Sequence, residues 1–360
     1  MISLLKIIEE RSEWLFLEKS PTNFYLRIKG QCIILSKNLD RKSIKEGYFQ
    51  LLYVNNLILS NSPIDYYSKI DSEKEELLKY IVEYDEALNE ISRKKFNMDG
   101  FFKPSGRVFL TRSSKPNYSQ FTVGFDYSTE EEVFCVPKLN WPMSNNLIEL
   151  FGDYLFYLAD DGLHCQDTKI KMDLWVQPNE ILEDHSLHFK FLKHKGQVIC
   201  YNLWDGFVSY NIISGEKNWT WPIYPEVYYR YSLSNDGVLH LIEEDWYIQL
   251  DAETGREISR ICFMPSILEK VKNPLSKVKA GMANPIATKT HLLFGTQGAL
   301  FLINRSNGEI DFLHELEDTF KIYPTLDIDE NKIIYTCTDN LWPVPKSKAV
   351  FLVFEENFEI

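Results

Sequence analysis

Three groups of residues in this chain have types and spacings that invite a chemical reading. The first is His185-Ser-Leu-His188, with His194 close behind. Two imidazoles three residues apart share a face on a helix and can take one metal ion. The run that follows, His188-Phe-Lys-Phe-Leu192, alternates like a strand instead, which turns His185 and His188 to opposite faces. His164, His240 and His291 also lie in strand-like runs and read as histidines of a core or blade face. The second group is carboxylates: Glu130–Glu132, Asp160-Asp161, Glu243-Glu244-Asp245, Glu315 with Glu317 and Asp318, Asp327 with Asp329 and Glu330, and Glu355-Glu356. Two such groups facing each other would make a glycosidase pair. Their recurrence between apolar runs reads more simply as solvated turns that gather into an acidic face. The third is Asn218-Trp-Thr-Trp-Pro-Ile-Tyr-Pro-Glu-Val-Tyr-Tyr-Arg-Tyr231, the most aromatic stretch of the chain. Exposed Trp and Tyr beside an Arg have the character of binding hot spots.

Other chemistries are excluded by what the sequence lacks. It contains no Gly-x-Ser-x-Gly, no phosphate loop and no dinucleotide fingerprint. Lys and Arg number 39 against 52 Asp and Glu, a net charge of −13, which repels nucleic acid and anionic membrane alike. The opening Met1-Ile-Ser-Leu-Leu-Lys-Ile-Ile-Glu-Glu10 breaks up before a signal-peptide core can form, and no apolar run reaches the length of a membrane span. The six cysteines are scattered without a Cys-x-x-Cys pair and read as reduced thiols. A cytoplasmic location is the expectation.

The elements that must position these residues come from an internal repeat. Gly206-Phe-Val-Ser-Tyr-Asn-Ile-Ile-Ser-Gly215, Trp246-Tyr-Ile-Gln-Leu-Asp-Ala-Glu-Thr-Gly255 and Ala299-Leu-Phe-Leu-Ile-Asn-Arg-Ser-Asn-Gly308 share one pattern. Each is an alternating strand, then Asn or Asp, then three residues and a Gly. The Asx side chain bonds its own turn and the Gly takes the positive φ of the corner. Degenerate copies run through Asp126 to Glu130 and through Asp167 to Lys171, and the strand Phe351–Phe354 reaches Phe358. The turn positions 130, 171, 215, 255, 308 and 358 are spaced 41, 44, 40, 53 and 50 residues apart. Phe134, Trp175 and Trp219 follow their turns by four residues, each with a Pro three further on. With a second strand run before each turn, such as Gln197–Tyr201 or Gly237–Ile242, the unit is a four-stranded β-propeller blade. The 14% aromatic content suits that all-β reading.

The strand–Asx–x-x-x–Gly–x-x-x–Trp pattern, complete in the copy ending at Trp219, resembles the repeat of pyrroloquinoline-quinone-type propellers over roughly residues 120–360. The resemblance implies the fold. Quinone enzymes of that family would be expected to carry adjacent cysteines and a calcium-binding set behind an export signal. This chain has no adjacent cysteines and no such signal, so no cofactor is expected.

The first 120 residues fit less well. Phe24–Ile28, Cys32–Leu35 and Phe49–Leu59 read as strands of a divergent blade. Ser72 and Glu75 make a capping box, and Leu77, Leu78, Ile81, Tyr84, Leu88 and Ile91 an apolar stripe, so a helical insertion is expected over 72–95. A Lys-rich insertion between Pro265 and Pro285 is expected to hold a short helix around Ile267–Val271. The count favours seven blades in one domain, residues 1–360, with six if the N-terminal strands complete the last blade. Chain from the N-terminal region should lock the C-terminal strand, because a propeller must cover that edge.

These readings converge on a non-enzymatic propeller, a monomer when free, that binds a basic protein; more narrowly, a cytoplasmic immunity protein that neutralises a bacterial toxin. The expected contact residues are Trp221, Tyr224, Tyr228, Tyr229, Arg230, Glu243, Glu244 and Asp245. The alternative is an enzyme acting on a glycan or small molecule in the propeller channel.

Overall fold

Asx turns make the blades. In Asp126, Asp167, Asn211, Asp251 and Asn304 the Oδ1 accepts the amide two residues on, at 2.8–3.1 Å. The corner then closes on a residue with positive φ: Lys171 at 53°, Gly215 at 71°, Gly255 at 69° and Gly308 at 76°. A Cβ on Gly215 would stand 2.5 Å from Cγ of Trp175, so sterics exclude other residues there as firmly as the dihedral does. Lys171 bears the left-handed strain in its own copy, which is why that copy looks degenerate in sequence.

The computed structural model describes the chain except residues 1–2, 11–15, 29–30, 47–50, 55, 61–79, 96–107, 113–120, 130, 138–147, 160, 179–190, 203–205, 223–228, 244, 273–283, 296–298, 316–324, 330–331, 339–348 and 356–360. The described residues form eight antiparallel sheets, seven of four strands and one of three. Named as blades in chain order, blade A holds Phe16–Lys19, Asn23–Ile28, Gln31–Ser36 and Arg41–Glu46. Blade B holds Leu51–Val54, Leu57–Ser60, Tyr80–Tyr84 and Glu90–Lys95. Blade C has Val108–Arg112, Phe121–Asp126 and Glu132–Pro137. Blade D has Ile148–Phe151, Tyr154–Ala159, Gly162–Asp167 and Met172–Pro178. Blade E is built from Leu192–His194, Gln197–Asn202, Gly206–Asn211 and Lys217–Trp221. Blade F is Arg230–Leu233, Val238–Glu243, Trp246–Asp251 and Glu257–Cys262. Blade G is Ile286–Ala287, His291–Gly295, Ala299–Asn304 and Ile310–Glu315. Blade H takes Thr325–Asp329, Lys332–Thr338 and Ala349–Glu355, and its fourth strand is Ser3–Glu10.

That last pairing is the expected lock. Ser3–Glu10 runs antiparallel to Ala349–Glu355, from Ser3 opposite Glu355 to Glu10 opposite Ala349. The chain divides into two compact units, one of residues 17–223 and one of residues 1–16 with 224–360. Within each, the core lies between facing sheets. Phe156 and Cys165 of blade D pack with Val198 and Cys200 of blade E, and Tyr25 and Ile34 of blade A with Ile58 and Val82 of blade B.

Two expectations about the N-terminal third need correction. Its residues make blades A and B in full, where the spacing allowed for one divergent blade, and this raises the sheet count to eight. The helix over 72–95 is not formed where the chain is described: Tyr80–Tyr84 and Glu90–Lys95 are strands, paired from Tyr80–Lys95 to Tyr84–Glu90. Residues 72–79 lie outside the described residues. Ile81, Tyr84 and Leu88 are buried, but so is Val82, off the supposed stripe, while Ile91, on it, is 61% exposed. Alternation, not a 3.6 period, decides the element. The short helix of the later insertion is present as α1, Met264–Lys270, whose Ile267 packs with Phe263, Phe294 and Val271.

Candidate protein-binding surface

Starting from the aromatic segment, Trp219 and Trp221 lie on the fourth strand of blade E and face inward, both below a tenth exposed. Trp221 packs on Phe207, ring centroids 6.3 Å apart. Tyr229 is fully buried, and Arg230 and Tyr231 are buried beside it in sequence. Trp221, Tyr229 and Arg230, expected at a contact surface, therefore serve the interior of the free protein. The cause is the strand period: Trp219 and Trp221 are two apart, so an anchored Trp219 brings Trp221 to the same side. Tyr224, Tyr228 and Glu244 lie outside the described residues.

Glu243 is a buried carboxylate already matched. It accepts the Tyr229 hydroxyl at 2.8 Å and Arg260 Nη1 at 3.3 Å, and Arg260 is also paired with Glu257. Asp245 is half-buried in the same hairpin, next to Trp246, which is 39% exposed. Trp246 is the aromatic at a blade corner that the sequence reading placed only as the start of a strand.

The histidines are structural as read. His240 is fully buried, with Nε2 at 2.8 Å from Ser234 Oγ and Nδ1 at 2.8 Å from the Tyr247 hydroxyl. Burial and the nearby Arg305 push its pKa down to about 3. His164 is buried with its ring stacked on Tyr157, Nδ1 at 3.0 Å from Asp173 and Nε2 at 2.8 Å from Asp161. The hydrogen bond to His164 lowers the Asp161 pKa. His291 meets Asp311 at 2.8 Å. His185 and His188 lie outside the described residues, and among the described residues no group of His, Cys, Asp and Glu is arranged to hold a metal ion.

Solvent-facing carboxylates recur at one corner of the blade. The hairpin joining the third and fourth strands carries exposed Glu131 in blade C, Glu216 in E, Glu253 in F and Glu309 in G. Glu216 and Glu309 touch only their own turns, through Ser214 and Asn307. Blade D carries Lys169 and Lys171 at this corner, held by Asp153 at 2.6 Å and Glu132 at 3.5 Å. Within each unit, such carboxylates can attract a cationic partner.

No protein-family model matches the chain, and no curated protein does. Solved structures do. BamB from Moraxella catarrhalis is 10% identical, with a TM-score of 0.62 over 99% of this chain and 100% of that one. The computationally designed Ika8 protein is also 10% identical, with a TM-score of 0.58 over 92% of this chain and 94% of its own. At that identity the likeness is one of fold alone, and the fold is a β-propeller of antiparallel, mostly four-stranded blades.

Proposed function

We infer that the chain is a non-enzymatic, cytoplasmic protein-binding propeller whose partner is basic. The observation that carries this reading is the recurrence of exposed carboxylates at the same corner of blades C and E in one unit and of F and G in the other, in Glu131, Glu216, Glu253 and Glu309, with lysines in their place in blade D. Asx turns hold each corner rigid, so the charges need little reorganisation on binding. The most specific form of the reading is an immunity-type inhibitor that covers a basic toxin. An interface of about 800 Å² per partner fits within the reach of a few blade corners.

The test is purification of the tagged chain from its native host, followed by calorimetry with the protein it retains. A stoichiometric basic protein, whose association rate falls as salt rises, supports the reading. A retained small ligand, or turnover of a glycan, would overturn it in favour of an enzyme.

A further inference from the structure

Among the described residues, the fourth strand of blade D, Met172–Pro178, ends its sheet and pairs on one side, with Gly162–Asp167. Such an edge offers unpaired backbone groups to any extended chain, and proteins usually guard it with charge. Here charge is confined to Asp173 among the described residues of the strand, and its most exposed side chains are apolar. Met172 is 63% exposed, Leu174 37% and Val176 40%.

Strand register locates the equivalent residues elsewhere. Trp175 pairs with Cys165 as Trp219 pairs with Ser209, Ser259 with Gln249, Ser43 with Ile34 and Ser92 with Glu83. The places of Leu174 and Val176 are thus taken by Asn218 and Thr220 in blade E, Ile258 and Arg260 in F, Lys42 and Ile44 in A, and Ile91 and Arg93 in B. Each of those blades has a polar or charged residue at one of the two places. In blade C the pair is Val133 and Cys135, both half-buried. Blade D alone of these sets two exposed apolar side chains there.

The charge beside this edge is negative. Val176 pairs with His164, so they share a face, and Asp161 and Asp173 bracket that imidazole, their side chains 71% and 33% exposed. The lysines at the end of the strand, Lys169 and Lys171, are already paired with Asp153 and Glu132. A second copy of a chain with net charge −13 would bring like charge against like.

We propose that the Met172–Pro178 edge of blade D accepts an extended segment of another protein as an added strand, one that carries both apolar residues and Lys or Arg on the same face, at every second position. Backbone bonds along the edge supply affinity, and that mixed face supplies selectivity. Apolar side chains meet Leu174 and Val176, and a base meets Asp173 and Asp161. This inference rests on the protein-binding reading above and names one mode of it.

The experiment titrates the full-length chain with a fluorescent ten-residue peptide whose odd positions are Val and Lys in turn and whose even positions are Thr. Controls carry Glu for Lys, or N-methylated amides at alternate positions. The matching variant is Leu174→Asn with Val176→Thr, which installs the residues of blade E and should melt like the wild type. Expected are saturable binding of the Val–Lys peptide, at least tenfold loss with either control peptide, and at least tenfold loss in the double variant. Asp173→Asn should narrow the preference for Lys over Glu. Equal binding to wild type and double variant overturns the proposal. So does a wild-type dimer, seen by sedimentation, that the double variant abolishes. Should the double variant misfold, the N-methylated peptide and the single Val176→Thr decide in its place. A natural partner retained equally by wild type and double variant would remove the edge mode and leave the protein-binding reading standing.

Discussion

Glu86 in blade B and Arg305 in blade G occupy the same place in their turns, one residue after Asp85 and Asn304, and both reach back to the preceding blade. The Glu86 Oε2 accepts from Ser20, Thr22, Asn23 and Tyr25 of blade A at 2.6–2.8 Å. Arg305 gives Nη2 to Asp236 of blade F at 3.2 Å and Nη1 to the backbone of Thr288, while its own carbonyl accepts Gln249 Nε2 at 2.9 Å. One clip is an anion held by neutral donors, the other a cation held by a carboxylate and carbonyls. In blades E and F the same position holds Ile212 and Ala252, both buried. In blade D the same position is Thr168, which bonds Asp153 of its own blade at 2.9 Å, so reaching the neighbour is an option at this position, open to more than one chemistry. A blade can lose the repeat's residues and keep its place.

The largest effect expected from breaking this arrangement comes from deleting residues 3–10. Blade H would lose its fourth strand, and the unit of 224–360 should melt first, giving two calorimetric transitions in place of one. A single unshifted transition would show that the pairing is dispensable. Next comes Trp175→Ala. The Trp175 indole covers Gly215 of the following blade and donates Nε1 to the Ile212 carbonyl at 2.9 Å, so its loss should cost about 3 kcal/mol in urea unfolding. Less than 1 kcal/mol would mean that the aromatic anchor is decorative.

The two clips should differ in size. Glu86→Ala strands the buried Ser20 hydroxyl and leaves Asn23 and Tyr25 the longer bond to the residue-86 carbonyl at 3.2 Å, and should cost about 2 kcal/mol. Arg305→Met leaves Asp236 free to turn to water and should cost about 1 kcal/mol. The reverse order would mean that charge, not buried donors, sets the strength of a clip.

The last comparison separates the units by pH. Burial would raise the Glu86 pKa, but hydrogen bonds from Tyr25, Thr22, Ser20 and Asn23 outweigh it, and the net shift is downward. Its contribution is present above the unfolded carboxylate range, near pH 4, and lost only as pH falls below that. His240 behaves differently. Its folded pKa of about 3 lies below the unfolded value near 6.5, so stability is full above about pH 6.5 and declines as pH drops toward 3. Burial also lowers His314, which acts in the same direction. Between about pH 6.5 and 4.5 the unit of 224–360 should weaken by up to ~1.4 kcal/mol per pH unit from His240, and His240→Gln should flatten that slope. Hydrogen exchange of each unit across this range is the check. An equal slope in wild type and variant would remove His240 from the account.

What the sequence makes legible follows from which contacts are local. The Asx–x-x-x–Gly corner satisfies itself within five residues, so its residues show in one strand-to-strand copy, and blades C to G can be read from it. In blades A and B the corner is a tighter turn closed by Leu39 and Leu88 at φ 68° and 58°, both buried. A leucine in the left-handed region is paid for by packing, and no turn rule announces it. The Glu86 clip joins residues more than sixty apart and leaves no pattern at all. Trp221 and Tyr229, expected at a contact surface, lie inside for a related reason. Aromatic richness locates a contact, but only register tells whether that contact is inside.

The pairing of Ser3–Glu10 with Ala349–Glu355 makes one strand wait for a mate synthesised far later. Chain growth of about 5–20 residues per second leaves it without its mate for roughly 17–70 s. During that time Leu4, Leu5, Ile7 and Ile8 are an unclaimed apolar segment beside a growing stack of sheets. Lys6, Glu9 and Glu10 then act as keepers of solubility before they are parts of a blade, and the tempo of translation becomes part of the folding problem.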